Sequence, residues 1–366
     1  MSLIDRAGTA HDWDALAWRG LDRSPLTFSD LRVGAAPLPT DRDRTVWRWR
    51  DWFPVPIDGA ITLGEGDTPL VEAPWLGADV HLKLDHLNPT GSFKDRGVAL
   101  VVAASRSAGA TRLLEDSSGN GGSSMAAYAA AAGLTARVLV PEGTSSGKIA
   151  ATRAYGAEIV LVPGSRDDTS AEALRQVGSG DWAYASHAWH PLFPVGVATQ
   201  ALEIWAQLGR APETVVVVAG GGSMVLGHDL AWRALRATGL IDALPRLVMV
   251  QPAACAPLVL GPVTTPGKTL AEGTAIARPV RDVEVLAALR RLNGVAVATD
   301  EAAIVAATRR LVTHGHYVEP TAANAVAGWQ QAVAAGQIAT GTTVIVLTGS
   351  GHKTPDAMAS VFAAVN

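Results

Sequence analysis

One lysine in this chain lies where its amine could form a covalent bond to a carbonyl compound. Lys94 follows the segment Asn-Pro-Thr-Gly-Ser-Phe at residues 88–93 and precedes an Ala/Val-rich run at residues 98–104. The segment predicts a tight turn, with Ser92 as the N-cap of a helix. A lysine at such a boundary can be partly desolvated and lose its proton, as a Schiff-base lysine must. An ordinary surface lysine could occupy the same position. Other segments of the chain must therefore distinguish a Schiff-base lysine from a surface lysine.

A second segment, directly before a predicted helix, is rich in small and polar residues. Residues 115–122 read Glu-Asp-Ser-Ser-Gly-Asn-Gly-Gly, between a predicted strand at 112–114 and a predicted helix at 123–132. Hydroxyls, an amide and backbone N–H groups at a positive helix end can bind a carboxylate. A plain N-cap turn would need only one Ser or Asn. The segment therefore predicts a carboxylate-binding loop.

Three consecutive glycines form a third candidate site. Gly220, Gly221 and Gly222 follow a predicted buried strand at 215–219 and precede a helix predicted at about 225–236. Such a loop lets backbone N–H groups and the helix dipole approach an anion closely, and a phosphate group is the expected ligand. A glycine turn that only allows close packing is the structural alternative.

The spacing of these glycines disfavours nucleotides. The third Gly of the dinucleotide pattern G-x-G-x-x-G is replaced by Val225, and the next predicted strand ends at Gln251 and not at an acid. Residues 143–149 have the wrong spacing for a nucleotide P-loop. A cofactor with one phosphate and a lysine partner, pyridoxal 5′-phosphate, fits better.

A hydroxyl follows the last predicted strand. Residues 344–353 run from apolar residues into a Gly-rich turn that contains Thr348 and Ser350. Either hydroxyl could bond the pyridine nitrogen of the cofactor. A neutral hydroxyl does not hold that nitrogen protonated as a carboxylate would, which favours elimination and replacement over transamination.

Composition limits the class of protein. The chain has 366 residues, a formal charge of −4 without a basic stripe, and one cysteine, Cys255. These features disfavour nucleic acid as a partner and exclude a disulfide framework or cysteine zinc site. No apolar run approaches the roughly 20 residues that span a bilayer, and the start lacks a signal-peptide core. We expect a cytoplasmic protein without a bound metal. The expectation that it binds a small amino acid and forms a homodimer comes from the family resemblance given below.

Short apolar runs alternate with Ala-rich helical segments after residue 65, which predicts an α/β fold with parallel sheets covered by helices. The expected domains are a Trp/Arg-rich N-terminal arm of residues 1–56, a large cofactor-binding lobe of 57–96 and 191–366, and a small lobe of 97–190. The predicted strands are 80–84, 112–114, 136–140, 158–162, 215–219, 246–251 and 343–347. The predicted helices include 123–132, 148–155, 199–208 and 301–312, with Gly133, Gly156 and Gly209 at helix C-termini.

Together these residues resemble the fold type II pyridoxal-phosphate enzymes, and within them the threonine synthase-like branch. The similarity covers residues 64–353, and residues 88–97 are its most specific part. It implies pyridoxal 5′-phosphate as cofactor and Lys94 as the catalytic residue that forms a Schiff base with it. The implied cofactor contacts are Phe93, Lys94, Asn120, Gly220, Gly221, Gly222, Ser223, Met224 and Thr348. The implied substrate contacts, around its carboxylate, are Ser117, Ser118, Gly119, Asn120 and Gly121.

Three positions depart from that branch. Threonine synthases usually carry Thr where Gly121 stands, and Arg and Lys where Phe193 and Ala198 stand. Loss of two cations weakens the case for a phosphorylated substrate.

The predicted function is a lyase or synthase acting on a small L-amino acid. Lys94 would remove the α-proton and a β- or γ-substituent would leave, as in threonine synthase-like enzymes. A threonine/serine dehydratase or a β-replacement synthase is an alternative. A catalytically inactive cofactor-binding protein is a further alternative. It is disfavoured because the lysine segment (residues 88–97) and the asparagine loop (residues 115–122) are both intact. His187, His190 and His352 could each transfer protons, and no role is assigned to them.

Overall fold

Strands and helices alternate along the chain from residue 70 onward, as the apolar runs predict. The computed structural model describes residues 2–32, 43–144 and 146–363; residues 33–42 of the predicted arm lie outside the described ranges. The strands are β1 (Leu3–Ile4), β2 (Ala10–His11), β3 (Thr27–Phe28), β4 (Leu70–Glu72), β5 (Val80–Lys83), β6 (Arg112–Glu115), β7 (Thr135–Pro141), β8 (Glu158–Val162), β9 (Ala183–Tyr184), β10 (Thr214–Val218), β11 (Arg246–Pro252), β12 (Val295–Thr299) and β13 (Thr343–Val346).

The helices lie mostly between these strands. The α-helices are α1 (Lys94–Ser107), α2 (Asn120–Ala131), α3 (Ser146–Ala154), α4 (Arg166–Val177), α5 (Leu192–Leu208), α6 (Ser223–Ala237), α7 (Pro257–Leu260), α8 (Asp282–Arg291), α9 (Glu301–Thr313), α10 (Pro320–Ala334) and α11 (Pro355–Phe362). The 3-10 helices are Val46–Trp52, Asp85–Leu87, Ala253–Cys255, Glu272–Thr274 and Gly351–Lys353. Gly133, Gly156 and Gly209 have positive φ after helices α2, α3 and α5, which confirms the predicted C-termini.

The chain packs into two units. The first contains Met1–Gly66 and Asn88–Gly196, and the second contains Asp67–Leu87 and Val197–Asn366. The first unit thus includes residues 88–96 as well as the predicted small lobe. The lobe boundaries drawn from the sequence concern cofactor binding and stay a prediction.

The first unit contains a four-stranded parallel sheet in the order β8-β7-β6-β9. A small antiparallel sheet, β2-β1-β3, precedes it in the chain. Trp18 from the N-terminal segment contacts Tyr184 and Trp189 edge-on, with ring centroids 4.9 and 5.1 Å away. These aromatic rings bury apolar area against the unit's own core.

The second unit contains a six-stranded sheet in the order β12-β11-β10-β13-β5-β4. All neighbouring strands are parallel except β4 and β5. Strands β10 and β13 are buried along their whole length, because helices cover both faces of a parallel sheet. The predicted α/β class with helix-covered parallel sheets is confirmed.

Helix α10 shows why small residues cover the sheet of the second unit. It packs against β10, β11 and β12, and a Cβ on its Gly328 would lie 2.3 Å from Val250 Cγ2. Glycine therefore permits the close approach of helix and strand. Within the described ranges, no helix combines the length and apolar character needed to cross a membrane.

Candidate active site

The predicted lysine segment forms a tight turn followed directly by a helix. Gly91, with φ of +82°, donates its N–H to the Asn88 carbonyl at 2.7 Å. Helix α1 begins at Lys94 with Phe93 as its N-cap. The prediction that Ser92 caps this helix is wrong. Phe93 already has helical dihedrals, φ −57° and ψ −16°, and no side chain caps the described helix.

Asp95 fixes the backbone around Lys94. The buried carboxylate accepts hydrogen bonds from the Thr90 N–H at 2.7 Å and the Thr90 hydroxyl at 2.6 Å. It also accepts from the Ser124 hydroxyl, on helix α2, at 2.6 Å. The turn, the start of α1 and helix α2 are thus joined through one carboxylate, which gives Asp95 a structural role.

The Lys94 amine lies against aromatic rings. Its Nζ is 4.9 Å from the ring centroid of Phe93 and 5.3 Å from that of Phe193. Gly97, one turn along α1, makes room for the Phe193 ring, because a Cβ there would lie 2.5 Å from Phe193 Cδ2. The rings exclude water from part of the amine, as a carbonyl-binding lysine requires.

The residues predicted to bind the substrate carboxylate link β6 to α2. Helix α2 begins at Asn120, with Gly119 as N-cap. Ser117 is buried, Ser118 and Asn120 are half-buried, and Gly119 is exposed. The N-terminus of helix α2, the positive end of its dipole, therefore lies within the predicted loop.

The space beside Gly121, where a larger residue would place its side chain, is occupied by His187 and Ser117. A Cβ at residue 121 would lie 2.9 Å from His187 Nδ1 and 2.9 Å from Ser117 Oγ. A larger residue at this position would meet the His187 ring and the Ser117 hydroxyl.

Two acids, Glu115 at the end of β6 and Asp116 directly after it, hold the loop that carries His187. Asp116 accepts hydrogen bonds from the hydroxyls of Ser170, Tyr184 and Ser186 at 2.6, 3.1 and 3.1 Å. Burial raises the pKa of Asp116, but the Arg166 charge and the hydroxyl donors outweigh burial and lower that pKa overall.

Glu115 binds His187 at two points. Its carboxylate accepts from the His187 backbone N–H at 3.1 Å and lies 3.1 Å from His187 Nδ1. The sequence does not predict this contact, because 72 residues separate Glu115 from His187 and no local spacing links them.

The other two histidines have different surroundings. His190 is buried; its Nε2 lies 3.0 Å from the Ala15 carbonyl and its Nδ1 accepts from the Leu192 N–H at 3.2 Å. His352 is exposed and lies 4.8 Å from the Tyr317 ring. The backbone bonds of His190 indicate a structural role.

In the second unit, the three glycines form the turn from β10 into α6. Gly222 is the N-cap of α6 with φ of +80°, and a Cβ there would lie 2.2 Å from Val285 Cγ2. A Cβ on Gly220 would lie 3.1 Å from the Gly273 carbonyl. Gly221 differs, because no described atom outside its chain neighbours lies within 4 Å of its Cβ position. The turn therefore has an open backbone face at a helix N-terminus, as anion binding requires.

Ser223 and Met224 form the first two positions of helix α6. Ser223 is half-buried and Met224 is 2% exposed. The hydroxyl of Ser223 thus lies beside the glycine turn, while Met224 belongs to the core.

Thr348 follows β13, the parallel neighbour of β10. The carboxyl ends of adjacent parallel strands lie at the same edge of a sheet, so Thr348 and the glycine turn share that edge. Thr348 Oγ1 is buried and has no hydrogen-bond partner among the described residues. A buried hydroxyl without a partner carries a free-energy penalty that a ligand atom would remove. The open glycine turn and this hydroxyl fit a compound with a phosphate and a pyridine nitrogen.

A chain of buried hydrogen bonds fixes helix α6 to neighbouring elements. The Trp232 indole donates to His228 Nδ1 at 3.1 Å, so the proton of this neutral ring resides on Nε2. His228 Nε2 donates to Gln200 Oε1 at 2.8 Å, and the Gln200 amide donates to Asp85. This chain connects α6 with α5 and with the helix Asp85–Leu87, and fixes the element that begins at the glycine turn.

Several known proteins are similar to this chain over most of its length. The sequence profile of the family described as "Pyridoxal-phosphate dependent enzyme" matches residues 61–349. Threonine synthase from Mycobacterium leprae is 36% identical over 316 residues, which cover 84% of this chain and 88% of the relative. Threonine synthase from Synechocystis sp. is 34% identical over 343 residues, covering 90% and 89%.

A solved structure has the same fold. O-Ureido-L-serine synthase with bound O-ureido-L-serine superimposes with a TM-score of 0.70 and 24% identity, covering 85% of this chain and 95% of that chain. At this identity the likeness concerns the fold.

Proposed function

The chain belongs to the family of pyridoxal-phosphate dependent enzymes, and we propose that it is a threonine synthase-like lyase acting on a small L-amino acid. The reaction removes the α-proton and then eliminates or replaces a β- or γ-substituent. The similarity to two threonine synthases over more than 80% of the chain supports this proposal. The observation that carries it is the placement of Lys94 at the start of α1, behind the turn that matches the lysine segment of this family.

Each side chain has a proposed task. When bound, pyridoxal 5′-phosphate supplies an electron sink for the α-carbon of an amino acid. Lys94 would bind the aldehyde of the cofactor, with Phe93 beside it, and would accept the α-proton. Thr348 would bond the pyridine nitrogen through its buried hydroxyl. The open turn and the start of α6 would hold the phosphate, through Gly220, Gly221, Gly222, Ser223 and Met224.

The loop before α2 orients the substrate. Its hydroxyls and N–H groups bind the carboxylate of the amino acid at the positive end of the helix, and Asn120 also contacts the cofactor ring. The residues in this proposal are Ser117, Ser118, Gly119, Asn120 and Gly121. A homodimeric assembly, expected from the sequence, belongs to the same proposal.

The side chain of the substrate is the point on which the alternatives differ. Phe193 and Ala198 are fully buried apolar residues at two positions where a cation is expected for a phosphorylated substrate. This observation favours a hydroxyl-bearing amino acid and keeps a threonine/serine dehydratase as the second candidate.

The test uses the purified enzyme with its cofactor and three amino acids: O-phospho-L-homoserine, L-serine and L-threonine. Free phosphate, threonine and keto acid are measured for the wild type and for Lys94→Ala. Phosphate together with threonine supports the threonine synthase reaction, and keto acid from serine or threonine supports the dehydratase. Turnover by Lys94→Ala at the wild-type rate would contradict the role of this lysine.

A further inference from the structure

A buried carboxylate and imidazole form a pair beside the substrate loop. Glu115 is fully buried and His187 is 8% exposed. Glu115 Oε1 lies 3.1 Å from His187 Nδ1, Glu115 Oε2 accepts the His187 backbone N–H at 3.1 Å, and Oε1 also accepts the Asp116 N–H at 3.0 Å. Three contacts thus fix the carboxylate and the ring that it holds.

The imidazole shares its surroundings with Lys94 and the asparagine loop. Its Nδ1 occupies the space next to Gly121, 2.9 Å from where a Cβ would lie. Its ring centroid is 5.7 Å from that of Phe193, and the same phenyl ring carries Lys94 Nζ at 5.3 Å. His187 and the proposed catalytic amine therefore both pack against the ring of Phe193.

The partner of Nδ1 determines what the other nitrogen can do. A carboxylate accepts hydrogen bonds, so Glu115 holds the proton on Nδ1 and leaves a lone pair on Nε2. Burial first, then the Lys94 charge and that of Arg166, lower the pKa of His187, while Glu115 opposes them. The ring is consequently neutral at pH 7, with Nε2 as a base.

We propose that His187 is a catalytic residue for the side-chain step, and that Glu115 is the residue that positions it. The proposal rests on the function proposed above. When water replaces a substituent, its oxygen lone pair forms the bond to the side-chain carbon and the electron pair of the double bond moves to the adjacent carbon. His187 Nε2 takes the proton that the water loses. Elimination of a hydroxyl is this addition in reverse: Nε2 first takes up a proton from solvent water and then gives it to the leaving oxygen.

His190 provides a matched control. It is buried in the same segment, but both of its ring nitrogens bond backbone groups. His190→Asn is expected to reduce stability without changing the balance between steps of the reaction. His187→Asn and His187→Gln are expected to change that balance.

The experiment separates the two steps in the enzyme with its cofactor. In deuterated water, loss of the α-proton signal of L-serine or O-phospho-L-homoserine measures abstraction of the α-proton, while product formation measures the side-chain step. Both His187 variants should retain α-proton exchange and lose the side-chain step by about 100-fold or more. An equal fall in both steps, or no fall in the second, would overturn the proposal. No α-proton exchange in the wild type would instead defeat the proposed function itself.

A second measurement needs no turnover. In the cofactor-free wild type, the imidazole ¹⁵N shifts of His187 should report a proton on Nδ1. In Glu115→Gln, where an amide replaces the carboxylate, the proton distribution between the two nitrogens should shift. A proton on Nε2 in the wild type would exclude His187 as a base at that atom.

Discussion

Two lysines in this molecule have different surroundings: Lys83 is fully buried and Lys94 is half-buried. Lys83 Nζ donates to Glu203, to the Thr68 carbonyl and to Gln207 at 2.7, 2.7 and 2.9 Å, so all three ammonium protons have an acceptor. Lys94 Nζ instead lies over two phenyl rings. The first environment stabilises a permanent charge, and the second suits an amine that must react with a carbonyl group.

His86 makes the stability of the fold depend on pH. Burial first, and the charge of His316 second, lower the pKa of His86 from 6.5 to about 4, while Asp85 opposes the change. In the unfolded chain the ring takes up a proton near its ordinary pKa, whereas the folded protein takes it up only near 4. Between these values the unfolded state binds more protons, so the free energy of unfolding falls as pH is lowered.

The stabilisation by neutral His86 is fully present above pH 6.5 and is lost as pH falls toward 4. The difference corresponds to roughly 3 kcal/mol. Denaturant unfolding of the wild type and of His86→Gln across this range measures it. We expect a weaker pH dependence in the variant; equal dependence in both proteins would show that other groups are responsible.

The turn from β10 into α6 assigns different tasks to adjacent glycines. Gly222 has a left-handed backbone and contacts Val285, whereas Gly221 has open space at its Cβ position. The backbone conformation and packing of the turn therefore require a glycine at position 222 but not at position 221. The second leaves the backbone face accessible to an anion, which is the function that the sequence predicts for this turn.

The two glycines can be tested as a matched pair. Gly222→Ala should lower the free energy of unfolding by roughly 2 kcal/mol or more, because it adds backbone strain and overpacking against Val285. Gly221→Ala should leave unfolding almost unchanged but weaken binding of pyridoxal 5′-phosphate by about tenfold, or 1.4 kcal/mol, since the methyl group occupies the open face. Denaturant unfolding and cofactor titration measure the two effects. Equal cofactor affinity in Gly221→Ala and the wild type would place the phosphate elsewhere.

Elements were predictable from the sequence where burial is continuous. The runs at 215–219 and 343–347 are apolar because β10 and β13 are buried along their whole length in a parallel sheet, and each predicted strand agrees within one residue with the observed one. The strands β1, β2 and β3 have two residues each, too few for a periodic pattern. The Ser92 cap failed because the helix begins one residue later than the capping rule assumes.

At the scale of the whole molecule, the contacts that support the candidate site join distant parts of the sequence. Glu115 meets His187 across 72 residues, and Gln200 meets Asp85 across 115. Local motifs were sufficient to propose which turns carry chemistry, since each motif depends on its own glycines and polar residues. They could not predict these partners, because the order of strands in each sheet decides which loops meet.

The central claim for the whole molecule is that one amine, that of Lys94, holds the cofactor. The most direct measurement incubates the full chain with pyridoxal 5′-phosphate, reduces the bond with borohydride and locates the added mass by peptide mass spectrometry. The account predicts a single modified peptide, labelled at Lys94. A label on Lys83 or on any other lysine instead, or no label with the cofactor in excess, would contradict it.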